Sequence, residues 1–348
     1  MLDKNSRILL TGATGFLGRY ILRSLASEGY NNLVCLSREK TALLQSDFEH
    51  ASVNWLFGDI SDILFLDQAL EGIDCIIHCA AIVSFDIYRK KSLLKIPVEG
   101  TANLVNIALD KKAKFFLHIS SVAALGRKKP EESITEKSVF SNSSYDTTYG
   151  LSKFLAEQEV WRGHAEGLNV AILNPSIILG SGNWHQSSPQ IFRKVYSGLS
   201  YYPTGSTGWV DVRDVASAVL KILDLQPNGE RFIVSSQNMS YRQVFEKIAG
   251  HLNVKPPRHP LQTRFGAWKW RLESLKSLLF HVKSQLTKET YQSTSAVSNY
   301  QNEKSITALG LVYIPLEKTI AQTCELFTES YPYGRAVKLL PLQQGATR

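Results

Sequence analysis

Residues 7–18 read RILLTGATGFLG, a short apolar run that leads directly into a loop with glycine at positions 12, 15 and 18. That spacing suits a strand, a tight turn and the start of a helix. Glycine is needed where the chain turns, where backbone approaches a pyrophosphate, and where helix packs on strand. Amides at the helix start then face the negative phosphates. Gly12, Gly15 and Gly18 in this setting point to a dinucleotide site. Outward from the loop, a helix is predicted over about 15–27, with Phe16, Leu17, Ile21, Leu22 and Leu25 on its apolar face and Gly29 as its stop. Short apolar strands are predicted at 32–36, 53–57, 75–79, 115–120 and 170–174, separated by helical stretches. Near-continuous apolar strands alternating with helices belong to a parallel sheet covered on both faces. The fold class is therefore α/β, with a doubly wound, mostly parallel sheet.

After Asn174 the alternation breaks down. Residues 175–210 are rich in Gly, Ser, Pro and aromatics and predict loops with a short helix near 190–197. VDVRDVASAVLKILD predicts an amphipathic helix from about Val212, RFIVSS a further sheet strand, and residues 241–249 another helix. This divides the chain into a nucleotide domain of residues 1–175 with 210–236, and a smaller C-terminal substrate domain of 176–209 with 237–330. Residues 331–348 have no sustained pattern and read as a frayed tail. Over 272–286, Leu272, Leu275, Leu278, Leu279, Val282 and Leu286 share one face of a helix that also carries Lys276 and Lys283. Packing on the substrate domain is the expectation for it, with membrane contact or a subunit interface as alternatives.

The 348 residues are 44% hydrophobic and 20% charged, enough to build one large or two medium cores. No apolar run reaches the roughly 18–20 residues that span a bilayer, and MLDKNSRILL lacks the long apolar stretch of a signal peptide. A cytoplasmic protein is expected. The net charge of +8 lies mostly in residues 251–348, which hold 13 Lys/Arg against 6 Asp/Glu. No compact basic stripe or reading motif accompanies it, so no nucleic-acid partner is expected. Cys35 and Cys324 are isolated. Cys75, His78 and Cys79 fall in IDCIIHCAA, where a strand turns the two cysteines to one side and the histidine to the other. No metal is expected there.

The end of the second strand reads CLSREK, with Ser37 and Arg38 where an NAD site usually carries an acid for the ribose hydroxyls. Arg38 offers fixed donors to a 2′-phosphate and Lys40 a further charge. This reading favours NADP(H) over NAD(H). Asp59, in FGDI after the third strand, is placed to meet the adenine amino group. YGLSK puts Tyr149 and Lys153 on one helix face, after a strand that ends in serines at the sheet's carboxyl edge, where open α/β sheets bind ligands. A nearby ammonium favours the phenolate, which allows proton exchange with a substrate oxygen. Ser121 is placed to bond the same oxygen, while a nicotinamide carries hydride.

Together TGATGFLG, HCAA, HISS, YGLSK, LNPSIILG and YYPTGSTGWVDVRDVASAV resemble the extended short-chain dehydrogenase/reductases, in the NAD-dependent epimerase/dehydratase superfamily, across roughly residues 6–325. The resemblance implies a Rossmann-type nucleotide domain. It implies Tyr149 as catalytic acid/base, Lys153 as its activator and ribose ligand, and Ser121 as the substrate-oxygen partner. Cofactor contacts are implied for Thr14, Phe16, Leu17, Ile60, Ala80, Ala81, Pro175 and Ile178 beside those above. In character the sequence is similar to dihydroflavonol reductases and 3β-hydroxysteroid dehydrogenases, which implies a small-molecule carbonyl or alcohol substrate and NADP(H)-dependent hydride transfer. Ser84, Phe85, Trp184 and Tyr202 are candidate pocket walls. Nucleotide-sugar epimerisation is the alternative reading and a dinucleotide-binding regulator a third. Val122-Ala123 stands where dehydratases carry Asp-Glu, which speaks against sugar 4,6-dehydration. Relatives are often homodimers. One departure stands out: Pro97, in PVEGT, occupies the place of an asparagine that holds a helix bend and a water near the lysine. Proline supplies a bend but no amide.

Overall fold

The computed structural model describes residues 2–39, 53–80, 90–126, 132–140, 147–261 and 288–342. Seven strands build the main sheet: β1 (Ile8–Thr11), β2 (Leu33–Ser37), β3 (Val53–Phe57), β4 (Cys75–His78), β5 (Phe115–Ile119), β7 (Val170–Pro175) and β11 (Glu230–Val234). They lie side by side as β11-β7-β5-β4-β1-β2-β3, and every pairing is parallel. The order reverses beside β1, which leaves a crevice at the carboxyl ends of β1 and β4.

Helices cover both faces, because the strands are apolar on both. Helices α1 (Phe16–Ser27) and α6 (Val212–Leu225) pack on one face with Leu10, Ile77, Leu117 and Leu173. On the other lie α2 (Ile63–Ala69), α3 (Lys90–Asp110) and α4 (Thr148–Ala165), over Leu9, Ile76, Phe116 and Ile172. Pro97 lies inside α3. One turn on, Thr101 Oγ1 donates to the Pro97 carbonyl at 2.7 Å.

The remaining elements form smaller units: β6 (Ser133–Ile134), β8 (Ile177–Leu179), α5 (Gln190–Tyr196), β9 (Tyr201–Tyr202), β10 (Ser206–Asp211), β12 (Gln237–Ser240), α7 (Tyr241–His251), β13 (His259–Pro260), α8 (Lys288–Ser295), β14 (Asn299–Tyr300), α9 (Glu303–Leu309) and α10 (Leu316–Ser330). A three-stranded sheet β12-β10-β8 and helices α5, α7 and α10 enclose a separate core around Trp184, Phe192, Trp209, Phe245 and Phe327. The architecture is thus a Rossmann-like parallel sheet with smaller sheets and helices toward the C-terminus. Among the described residues no helix is long and apolar enough to cross a membrane. The amphipathic helix expected at 272–286 lies outside the described residues.

Within the tail read as frayed over 331–348, residues up to 342 are described and they are docked, while 343–348 lie outside the described residues. Leu340 is fully buried; its amide donates to the Tyr20 hydroxyl at 2.8 Å and its carbonyl accepts from Arg23 Nη1 at 3.0 Å. The Ser181 hydroxyl bonds the Lys338 carbonyl. A tail that lacks helical or strand periodicity is still ordered when other elements satisfy its backbone groups.

Candidate active site

The glycine loop sits at the carboxyl edge of β1. Gly12 has φ +74°, and a Cβ there would lie 2.8 Å from the Ala80 nitrogen. A Cβ on Gly18 would fall 2.0 Å from the Gly12 carbonyl oxygen, so α1 approaches the loop as only glycine permits. Gly15 caps α1 without any side-chain acceptor for the first amides. Thr14 and Gly15 are exposed. An uncapped helix start beside a close-packed glycine turn is the chemistry a pyrophosphate needs, and these residues fit a dinucleotide. Phe16 stacks edge-on against Tyr20 with centroids 5.9 Å apart, and Leu17 is a core residue of α1.

One hydrogen-bond chain braces this loop, and its direction can be worked out. Thr101 Oγ1 spends its proton on the Pro97 carbonyl, so it accepts from His78 Nε2, 3.1 Å away. His78 Nδ1 is then an acceptor, and Thr11 Oγ1 donates to it at 2.7 Å while accepting from the Ala80 amide at 3.2 Å. Burial and the nearby Lys153 charge lower the His78 pKa to about 3, which keeps this single neutral tautomer. Thr11 opens TGATGFLG and Thr101 closes PVEGT, but neither stretch says that the two hydroxyls share a histidine. They join β1, β4 and α3 only in space.

Ser121, Tyr149 and Lys153 meet at the carboxyl edge of β5. Tyr149 hydrogen-bonds Ser121, whose Oγ also accepts from the Ala123 amide at 3.2 Å. Thr147 caps α4 by accepting from the Gly150 amide at 3.0 Å, which sets Tyr149 in the helix's first turn. Lys153 is buried and donates to the Ile119 carbonyl at 3.0 Å. Burial pushes the Tyr149 phenol up to about 12, against the downward pull of the Ser121 bond. The expectation of a phenolate at neutral pH thus differs from this geometry, in which the ammonium is turned to Ile119 and Tyr149 keeps its proton. Burial also lowers the Lys153 pKa, opposed by Cys79 and Glu157.

Other expected site residues fall as follows. Pro175 closes β7, and Ile178 is half-buried in β8. Asp59 accepts from the Ser61 amide at 2.9 Å and the Ser61 hydroxyl at 2.7 Å, and these bonds hold its carboxyl below the usual range. Ile60 packs on Gly100 of α3. Trp184, expected as a pocket wall, is instead a core residue: it is 3% exposed, stacks edge-on against Phe327 at 5.0 Å, and spends its indole N–H on the Ser330 hydroxyl at 3.0 Å. Tyr202 is half-buried in β9, under the Arg242 guanidinium. Lys40, Ala81, Ser84 and Phe85 lie outside the described residues.

The parallel sheet with a glycine loop at its carboxyl edge and Ser121, Tyr149 and Lys153 beside it places the protein with the short-chain dehydrogenase/reductase class of oxidoreductases. Residues 8–235 match the model of the NAD dependent epimerase/dehydratase family, and the chain belongs to that family. It is 28% identical to the sterol demethylase protein B of Methylococcus capsulatus over 74% of this chain and 82% of that protein. To a putative dihydroflavonol 4-reductase of Synechocystis it is 24% identical, over 91% and 93% of the two chains. The solved structure of gox2253 superposes with a TM-score of 0.79 at 28% identity, covering 93% of this chain and 98% of that one. DesIV, a dTDP-glucose 4,6-dehydratase of Streptomyces venezuelae solved with NAD bound, has the same fold with a TM-score of 0.76 at 19% identity, over 94% and 98%.

These comparisons correct the expected preference for NADP(H). Neighbouring structures described with a dinucleotide, among them DesIV and MoeE5 with UDP-glucose, hold NAD. The geometry offers a physical reason. The Ser37 hydroxyl is spent on the Glu39 carbonyl at 2.8 Å, and the exposed Arg38 acts on the Asp59 carboxylate. The Ser37 hydroxyl is thus already committed within the protein.

Proposed function

We propose that this protein moves hydride and proton at a secondary alcohol or ketone carbon of a sugar or other small molecule. The observation that carries this reading is the Ser121–Tyr149 hydrogen bond, one helical turn from Lys153 and across the crevice from Gly12, Gly15 and Gly18. A bound nicotinamide dinucleotide supplies the hydride chemistry. Gly12, Gly15 and the first amides of α1 hold its phosphates, and Lys153 is the ribose-side ligand. Ser121 and Tyr149 bond the substrate oxygen. Tyr149, protonated in the resting protein, gives its proton to a ketone oxygen and takes it back from an alcohol.

Within that chemistry, nucleotide-sugar epimerisation has the greater support from the comparisons, through the family itself and the sugar-nucleotide complexes of the same fold. Carbonyl reduction stands second, on relatives named as reductases. A single assay separates the two. Purified protein is mixed with NAD+ or NADH and a panel of nucleotide sugars, ketones and aldehydes, and both absorbance and products are followed. Isomerised sugar without net cofactor loss is the expected result. Alcohol formed with stoichiometric NADH loss supports the reductase. Turnover retained in Tyr149→Phe refutes the site assignment under either reading.

A further inference from the structure

Behind the proposed catalytic residues lies a group of buried charges that the reading above does not use. Glu157 stands one helical turn beyond Lys153 on α4, is fully buried, and forms an ion pair with Arg231 of β11. Its Oε1 accepts from Asn174 Nδ2 at 2.6 Å. The same Nδ2 donates to the backbone carbonyl of Ser121 at 2.9 Å. Arg231 in turn lies over the Trp161 ring, 5.4 Å from its centroid.

An apolar pair would fill this space at lower desolvation cost. Charge therefore does something here that packing alone would not. The loop after β5 has few anchors of its own, since the Ala123 and Ala124 amides bond back to Ser121 itself, and Asn174 ties that turn to β7. Lys153 faces His78 from β4 and Cys79 just after it, His118 from β5 and Glu157 from its own helix. Burial holds both histidines neutral and pushes the Cys79 thiol up to about 11, so Glu157 is the carboxylate in this group. Burial raises the Glu157 carboxyl, while Arg231, Asn174 and Lys153 favour its charged form.

We propose that Glu157 is a positioning residue of the site: through Asn174 it fixes the Ser121 backbone, and its charge balances the Lys153 ammonium. This rests on the roles proposed above for Ser121 and Lys153, but its tests need no substrate.

The first test titrates Lys153 by NMR in full-length protein carrying 13C at lysine Cε, with Lys153→Met to identify the resonance. Glu157→Gln keeps an acceptor for Asn174 and removes the charge, so the Lys153 midpoint moves to lower pH. The double variant Glu157→Gln/Arg231→Met leaves no unpaired buried guanidinium and moves it in the same direction. A lowered melting temperature with an unmoved midpoint in both variants overturns the electrostatic half. The second test is amide hydrogen exchange in Asn174→Leu: Ala123 and Ala124 exchange faster while β5 stays protected. Unchanged exchange at those amides overturns the positioning half. A turnover assay in which Tyr149→Phe stays active refutes the catalytic reading without touching either result, so the two failures are distinguishable.

Discussion

Replacing His118 with phenylalanine should make the protein resistant to acid by a calculable amount. His118 sits in β5 directly opposite His78 of β4, with ring centroids 5.2 Å apart. It is 1% exposed, and among the described residues neither ring nitrogen has a hydrogen-bond partner. Burial, with Lys153 and His78 adding to it, holds its pKa well below 6.5. In the unfolded chain it titrates near 6.5. Between those values the unfolded state binds a proton that the native state refuses, so stability falls as pH falls. From about pH 8 to about pH 5.5 one such histidine costs RT ln 11, or about 1.4 kcal/mol. The difference in unfolding free energy between His118→Phe and the parent protein should therefore shift by about 1.4 kcal/mol in favour of the variant on acidification. Carboxylates titrate in both proteins and cancel. Urea unfolding of cofactor-free protein, followed by tryptophan fluorescence with the slope checked at each pH, measures it. A difference that is the same at both pH values refutes the reasoning, and His118→Leu repeats the test should the phenylalanine ring strain the β4–β5 face.

Three further outcomes are expected. Gly18→Ala places a Cβ against the Gly12 carbonyl; NADH affinity measured by calorimetry should fall by more than about tenfold, and unchanged affinity would contradict the close approach of α1. Truncation after Gly334 removes buried Leu340 and the partners of Tyr20 and Arg23, a loss of about 3–5 kcal/mol from burial and hydrogen bonding; an unaltered melting curve would mean the tail is not docked in solution. Arg38→Ala should leave NADH affinity within about threefold, since Arg38 is exposed and solvent-exposed charges contribute little, and a large loss would return Arg38 to the cofactor.

The boundaries of the main sheet were legible because parallel strands covered on both faces are continuously apolar. The reading of 53–57 coincides with β3, and the helix read from about Val212 coincides with the start of α6. Ser121, Tyr149 and Lys153 stand out as candidates because two of them share a helix and the third follows β5 by two residues. Glu157 carried a signal in its spacing from Lys153, as did Asn174 and His118 as polar residues inside apolar strands. What each of them touches was not written locally: Asn174 joins residues 53 and 17 positions away, and Arg231 lies 74 from Glu157. Trp184 illustrates the opposite error, since an aromatic residue in a variable loop reads alike whether it lines a pocket or fills a core.

Local pattern thus specified the main-sheet elements and the glycine loop, because backbone periodicity and loop chemistry act over a few neighbours. Protonation and partnership were settled by assembly. Tyr149 keeps its proton and Lys153 turns to Ile119 because packing α4 against β4 and β5 buries Lys153 and half-buries Tyr149. The histidine tautomer follows from a hydroxyl on α3, and the tail is ordered because Tyr20, Arg23 and Ser181 satisfy its backbone. Desolvation and long-range hydrogen bonding depend on which surfaces meet, and that depends on the whole chain.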